Sequence, residues 1–252
     1  MDKIIGAQLY SIRDHCETKE DFANAIESLK NMGYKHVQVS GIKVDDAEFI
    51  KETCDKNGIE ISCTHRGLND FLDNFDEEVK RHKIYGCKYA GIGGLAGELR
   101  ETKETFMKTI EKLNDVYDRL SEHGITFTYH NHLWEFGKLD DKRYMDYMLE
   151  YGKFSILADL GWMANAGVNP VNFLKENKGR IDCVHYKDIT VVEYNTVVAT
   201  EIGHGNLDWV EITKACDEAG VKLALVEQDT CPGDSLDSME MSYKYLKSIG
   251  FN

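Results

Sequence analysis

Eight short β-rich runs alternating with amphipathic helical stretches predict an α/β chain folded as a single (β/α)₈ barrel over residues 1–252. Two further observations favour a closed barrel over an open doubly wound sheet. The 252 residues match the roughly 250 of a one-domain barrel. No Pro-, Ser- or Gly-rich linker divides the chain, and no G-x-G-x-x-G or P-loop pattern follows any run.

The elements follow in order. Ile4–Tyr10 reads as a strand, and Asp21–Asn31 as a helix ending near Gly33. His36–Gly41 is the second strand; the helix Asp45–Asn57 closes on Gly58, at the position that favours glycine. Ile59–His65 precedes a helix from about Asn74 to Tyr85, and Tyr89–Gly93 precedes the long helix Lys103–His123. The second half repeats the scheme with strands Ile125–His130, Phe154–Asp159, Ile181–Lys187 and Lys222–Glu227. Its helices fall near Lys142–Tyr151, Pro170–Asn177, Trp209–Ala219 and Ser235–Lys247, and Pro170 suits a first helical turn.

A formal net charge of −14 with no basic run argues against nucleic acid and anionic membrane as partners. The N-terminus MDKIIGAQLYS carries Asp2 and no long apolar segment of a signal peptide, and no apolar run reaches membrane-spanning length. Seven cysteines without a C-x-x-C suggest reduced core thiols in a cytoplasmic protein, not a disulfide framework or thiolate zinc site. A homo-oligomer stays open, because dimers are common in general.

Active sites of such barrels lie at the C-terminal strand ends. Glu135 follows the fifth run, Asp159 ends the sixth, His185 lies near the end of the seventh and Glu227 ends the eighth. A lone strand-end carboxylate is more often a helix cap or a solvated loop group, and a lone histidine more often a hydrogen-bonded interior residue. Four on consecutive strands can converge on one divalent ion, and an O/N donor set suits Mn²⁺, with Co²⁺, Mg²⁺ or Zn²⁺ as alternatives. Alternation along strands adds Lys187 on the face of His185, His65 near the same mouth, and Gln8 as an inward residue of the first strand. His130 and His132 flank Asn131 at the end of the fifth, and His204 lies in a Gly-rich loop that could cover the site. Each of these equally fits a structural role.

The segments GAQLYSIRD (6–14), YHNHLWEF (129–136), LADLGWMANAGVNPV (157–171), GRIDCVHYKD (179–188), IGHGNLDW (202–209) and VEQD (226–229) together resemble the sugar isomerase/epimerase-like barrels related to xylose isomerase. The YHNH-x-x-EF and D-x-GW patterns look close to those of inosose dehydratases and of proteins named sugar phosphate isomerase/epimerase. It implies that Glu135, Asp159, His185 and Glu227 bind a divalent metal. In the family's ketose epimerases the two glutamates also act as bases on opposite faces of the substrate carbon. This chain has Trp162 where those epimerases place a histidine.

The expected activity is metal-dependent isomerisation or epimerisation of a small keto sugar or polyol through an enediolate, with Glu135 or Glu227 removing the α-proton. Dehydration of an inosose or keto sugar is the alternative, because it shares that first step. An apurinic-site endonuclease would need more His and Asp ligands, and the charge opposes DNA. A non-catalytic sugar-binding barrel would bind metal without exchanging substrate protons. No Arg/Lys cluster with a Gly-rich turn follows strands seven and eight, so a neutral sugar or cyclitol is preferred over a phosphate.

Overall fold

The computed structural model describes residues 4–252, so Met1–Lys3, including Asp2, lie outside the described residues. Eight parallel strands close a barrel: β1 Ile5–Gln8, β2 His36–Val39, β3 Glu60–Arg66, β4 Tyr89–Ile92, β5 Thr126–His130, β6 Ser155–Asp159, β7 Ile181–Tyr186 and β8 Leu223–Val226. They pair in sequence order, and β1 also pairs with β8 to complete the ring.

The strands are apolar on both sides because both sides are buried. Outward residues such as Val37, Phe127, Ile156 and Val184 pack under the helices. Inward ones divide by height. Cys63, Tyr89, Leu157, Cys183, Leu223 and Leu225 form an apolar floor inside the barrel. Gly6 and Gly91 keep the interior open, since a Cβ at either would come within 2.5 Å of Leu225 or Thr128. Two residues further along each strand, the same face turns polar: Cys63 gives way to His65, Leu157 to Asp159, Cys183 to His185 and Leu225 to Glu227.

The long surrounding helices are α1 Lys19–Met32, α2 Ala47–Lys56, α4 Phe75–Tyr85, α5 Lys103–Ser121, α9 Trp209–Ala219 and α10 Ser235–Ser248, and shorter ones are α3 Leu68–Asp73, α6 Tyr144–Tyr151, α7 Leu160–Asn165 and α8 Pro170–Glu176. Local chemistry sets their ends. Thr18 and Asp21 form a reciprocal capping box on α1, and Asn169 caps α8 ahead of Pro170.

Three features depart from the sequence expectation. The helix expected from Asn74 is preceded by α3, and the helix expected from Lys142 starts at Tyr144 because Lys142–Arg143 pair with Lys138–Leu139. A β-hairpin, Asp188–Val192 against Thr196–Thr200, stands between β7 and α9. Asp188 anchors its base. This fully buried carboxylate accepts hydrogen bonds from the backbone of Ile189, Gly203, Gly205 and Leu207 and from Trp209 Nε1 at 2.7 Å. The glycines of IGHGNLDW are explained locally: a Cβ on Gly205 would lie 2.2 Å from Asp188 Oδ1, and one on Gly203, at φ +84°, would lie 2.2 Å from the Tyr245 ring. Among the described residues all seven cysteines are free, and no helix is long and apolar enough to cross a membrane.

Candidate metal centre

At the C-terminal mouth, His130, Asp159, His185 and Glu227 are all buried, and one ligand atom from each lies within 4.8 Å of the others. Two ligands on opposite sides of a shared ion are about 4–4.4 Å apart, so the cluster is within a few tenths of an ångström of ligation. Each residue is the last inward position of its strand or the first beyond it.

The outer atoms of these side chains are already held. His185 Nε2 donates to Gln38 Oε1 at 2.6 Å, which leaves Nδ1 facing Glu227 Oε2 at 2.7 Å. His130 turns Nδ1 to the Gly93 carbonyl at 3.4 Å and Nε2 to Asp159 Oδ2 at 3.4 Å. A histidine whose second nitrogen is tied to an oxygen is held as a metal ligand requires. Asp159 divides its oxygens. Oδ1 accepts from Trp162 N at 2.7 Å and caps α7, while Oδ2 faces the cluster. This aspartate is a helix cap with one oxygen left over for the cluster.

Lys187 is also buried here. Its Nζ stands 2.9 Å from Asp159 Oδ2, 3.0 Å from Glu227 Oε2 and 2.8 Å from Asp229 Oδ2, with the Trp162 ring 4.8 Å away. Three carboxylates thus converge on one ammonium, with the His185 imidazole beside them. His185 Nδ1 and Lys187 Nζ each sit at ion-pair distance from Glu227 Oε2, but in orientations that make no hydrogen bond. A divalent cation fits this combination of unpaired buried atoms, excess negative charge and O/N donors.

The electrostatics agree. Burial works against an imidazolium at His185, but Glu227 and Asp159 outweigh it and lift the group to about 9. Burial likewise opposes ionised Asp159 and Glu227, yet Lys187 and the histidines hold both below the usual carboxylate range. Burial and the neighbouring histidines keep His65 well below its ordinary value, and its Nε2 is buried without a partner. Its ring centroid is 5.1 Å from that of His130 and 5.6 Å from that of His185.

The remaining expected residues are distributed around this centre. Gln8 is buried in the mouth with Nε2 unpartnered, and Trp162 and His132 approach with ring centroids 6.1 Å apart. The His204 side chain is exposed, and its backbone N–H donates to the Glu201 carbonyl. Glu135 is placed differently from the set expected at the strand ends. It lies in a short 3₁₀ turn, Trp134–Phe136, accepting from Tyr129 Oη at 2.8 Å and His132 N at 2.7 Å. His130 fills the fifth-strand place in the cluster. Alternation signals this, since His130 follows Thr128 on the inward face. The same rule locates Gln38 and Asp229, which sequence reasoning missed.

Burial lifts Glu135 to about 7 against the pull of its hydrogen bonds from Tyr129 and His132. Between an unfolded value near 4.5 and that folded value, the folded chain holds a proton that the unfolded chain has lost. Stability therefore falls as pH rises through this window, by about 3 kcal/mol in all. Unfolding midpoints of wild type and Glu135→Gln across pH 4.5–7.5 should diverge, with the wild type steeper; parallel curves would refute the assignment.

The chain can now be set beside known proteins. It is 23% identical over 266 residues to an inosose dehydratase of Mesomycoplasma hyopneumoniae (strain 7448), covering 90% of this chain and 88% of that relative. The fold superimposes on a sugar phosphate isomerase/epimerase from Parabacteroides distasonis ATCC 8503 with a TM-score of 0.82 and 21% identity, covering 100% of this chain and 96% of that one. It also matches an L-ribulose 3-epimerase with a TM-score of 0.75 and 11% identity, over 97% and 93% of the two chains. The model of one family matches residues 21–248, and with the closed barrel it establishes that this chain belongs to the xylose isomerase-like TIM barrel family.

Proposed function

We propose that this protein is a divalent-metal-dependent enzyme that removes the α-proton of a small, unphosphorylated keto sugar or keto cyclitol and then expels a β-hydroxyl as water. The observation that carries this reading is the buried His130–Asp159–His185–Glu227 cluster with Lys187 bridging two of its carboxylates.

His130, Asp159, His185 and Glu227 would hold the ion. A bound divalent ion supplies Lewis-acid polarisation of the substrate carbonyl. Mn²⁺ suits the oxygen-and-imidazole donors. Glu227, held ionised by His185 and Lys187, is the base: its carboxylate takes the α-proton, and the C–H electrons move toward the carbonyl oxygen. The electrons then return to break the β-carbon–oxygen bond. The Lys187 ammonium gives the leaving hydroxide a proton, and water and an unsaturated ketone result. Glu227 and Lys187, 3.0 Å apart, end with one proton misplaced, and passing it from carboxyl to amine restores both. Gln8, His65, His132 and Trp162 line the approach and position substrate hydroxyls.

Isomerisation is the second reading. The same single base can return its proton to the neighbouring carbon. Epimerisation through two opposed carboxylates has less support, because Glu135 is engaged with Tyr129 and His132. Dehydration takes precedence on the inosose dehydratase relatives. Lys187 is already paired with Asp159, Glu227 and Asp229, so it is no free cation for a phosphorylated substrate.

The test is α-proton exchange in D₂O with Mn²⁺-loaded protein and a panel of inososes and ketoses, followed by NMR. Loss of the Cα–H signal with growth of an enone absorbance is expected. Deuterium incorporation without an enone would shift the reading to isomerisation. Absence of both across the panel would refute it.

A further inference from the structure

A pocket of about 290 Å³ opens beside Lys187 and Asp229, and most of its wall is apolar. One side is the Trp162 ring. The other is the hairpin after β7, whose ladder pairs Ile189 with Ala199 and Val191 with Val197. Residues 189, 197 and 199 therefore share one face, and all three line the pocket. The side chains of Ile189, Val197 and Ala199 are aliphatic, so they offer no hydrogen bond to a sugar hydroxyl. Anchoring at Asp188 makes it a built wall: five donors hold the hairpin base to the barrel.

Size and charge narrow the occupant. A cavity of about 150 Å³ already accommodates a benzene ring, so 290 Å³ takes a six-membered ring with a short substituent. Lys187 is the cation in the lining, and it is already paired with Asp159, Glu227 and Asp229. Arg13, which reaches the same loop, is tied to the carbonyls of Tyr10 and Asp229. An anionic group gains nothing there. Lys187 belongs to both the pocket and the metal cluster, so a group seated between Trp162 and the hairpin is continuous with a sugar at the reacting centre.

We infer that this pocket is a subsite for an uncharged, apolar, ring-sized substituent, and that the substrate is a glycoside or ether of the keto sugar, neither the free sugar nor its phosphate. This rests on the reading that the adjoining cluster is the reacting centre.

The test is calorimetric titration of the Mn²⁺-loaded protein with both anomers of phenyl and methyl D-glucopyranoside, and with glucose 6-phosphate. For one anomer, phenyl should bind about tenfold or more tighter than methyl, from burial of the ring's apolar surface. The phosphate should be the weakest. Val197→Asp, at a position 39% exposed and so tolerant of charge, should bring the phenyl glycoside to the methyl level and leave the methyl glycoside unchanged. Val197→Thr should act in the same direction with a smaller change, and melting curves of both variants check folding. Equal binding of phenyl and methyl, binding of neither, or insensitivity to both substitutions would overturn the subsite. Metal content and deuterium exchange report separately on the centre. A chain that selects phenyl glycosides but takes no metal would sink the function proposed above and keep the subsite; exchange without phenyl selectivity would do the reverse.

Discussion

Glu227→Gln is expected to lower turnover roughly 10²–10⁴-fold while leaving the barrel folded. The amide keeps the shape of the side chain but cannot take a proton, and it is a poor partner for a divalent ion. Bound metal should fall in parallel in this variant and in His185→Ala, measured by elemental analysis beside wild type. A proton count supplies a second signature. His185 is lifted to about 9, so at pH 7.5 it carries a proton that a metal ligand must shed. Titrating Mn²⁺ into wild type in buffers of different ionisation enthalpy should therefore show release of about one proton per ion bound. A wild type that stays free of metal after dialysis against excess Mn²⁺, Co²⁺, Mg²⁺ and Zn²⁺ would refute the centre itself.

The second large effect is on stability. Lys187→Met preserves most of the side-chain volume but removes the one ammonium from among Asp159, Glu227 and Asp229. Breaking a buried ion pair from one side costs about 3–5 kcal/mol, because the partner charge stays buried. That range applies to Asp159 and Glu227; Asp229 is a third exposed and contributes less. In a chain of this size the loss amounts to a melting temperature lower by roughly 6–20 °C in the presence of a chelator. Adding Mn²⁺ should recover a large part of the loss, because the ion compensates the same two oxygens. Wild type should respond less to chelation, since it carries its own cation. Equal melting temperatures of the two proteins in chelator would show that the lysine does not bear that charge.

Much of this architecture was legible from the chain alone. Alternation of β-rich runs with helices of 3.6-residue periodicity is a local property, and it located eight strands whose ends carry Asp159, His185 and Glu227. Period-two alternation also put Lys187 on the face of His185, as the barrel does.

Tertiary structure decided the rest, for reasons of distance along the chain. YHNHLWEF offers two histidines and a glutamate within eight residues, and composition cannot say which one enters the barrel. The fold places His130 as the last inward residue of β5, and the chain then turns so that Glu135 folds back on Tyr129 and His132. The Gly-rich stretch around His204 fits a cover for the site or a plain loop from sequence alone; in the fold Gly203 and Gly205 donate to Asp188, sixteen residues upstream of His204, whose side chain is exposed. The hairpin wall of the apolar pocket is a similar case. Strand-forming valines flank Glu193-Tyr194-Asn195, but only packing against the barrel shows that Val197 lines a pocket with Trp162. Periodicity reports which side of a strand a residue occupies. Which charges meet across the barrel mouth, and which loop closes on which carboxylate, depends on contacts between residues about thirty to a hundred and fifty positions apart, such as His130 with Asp159 and Gln38 with His185.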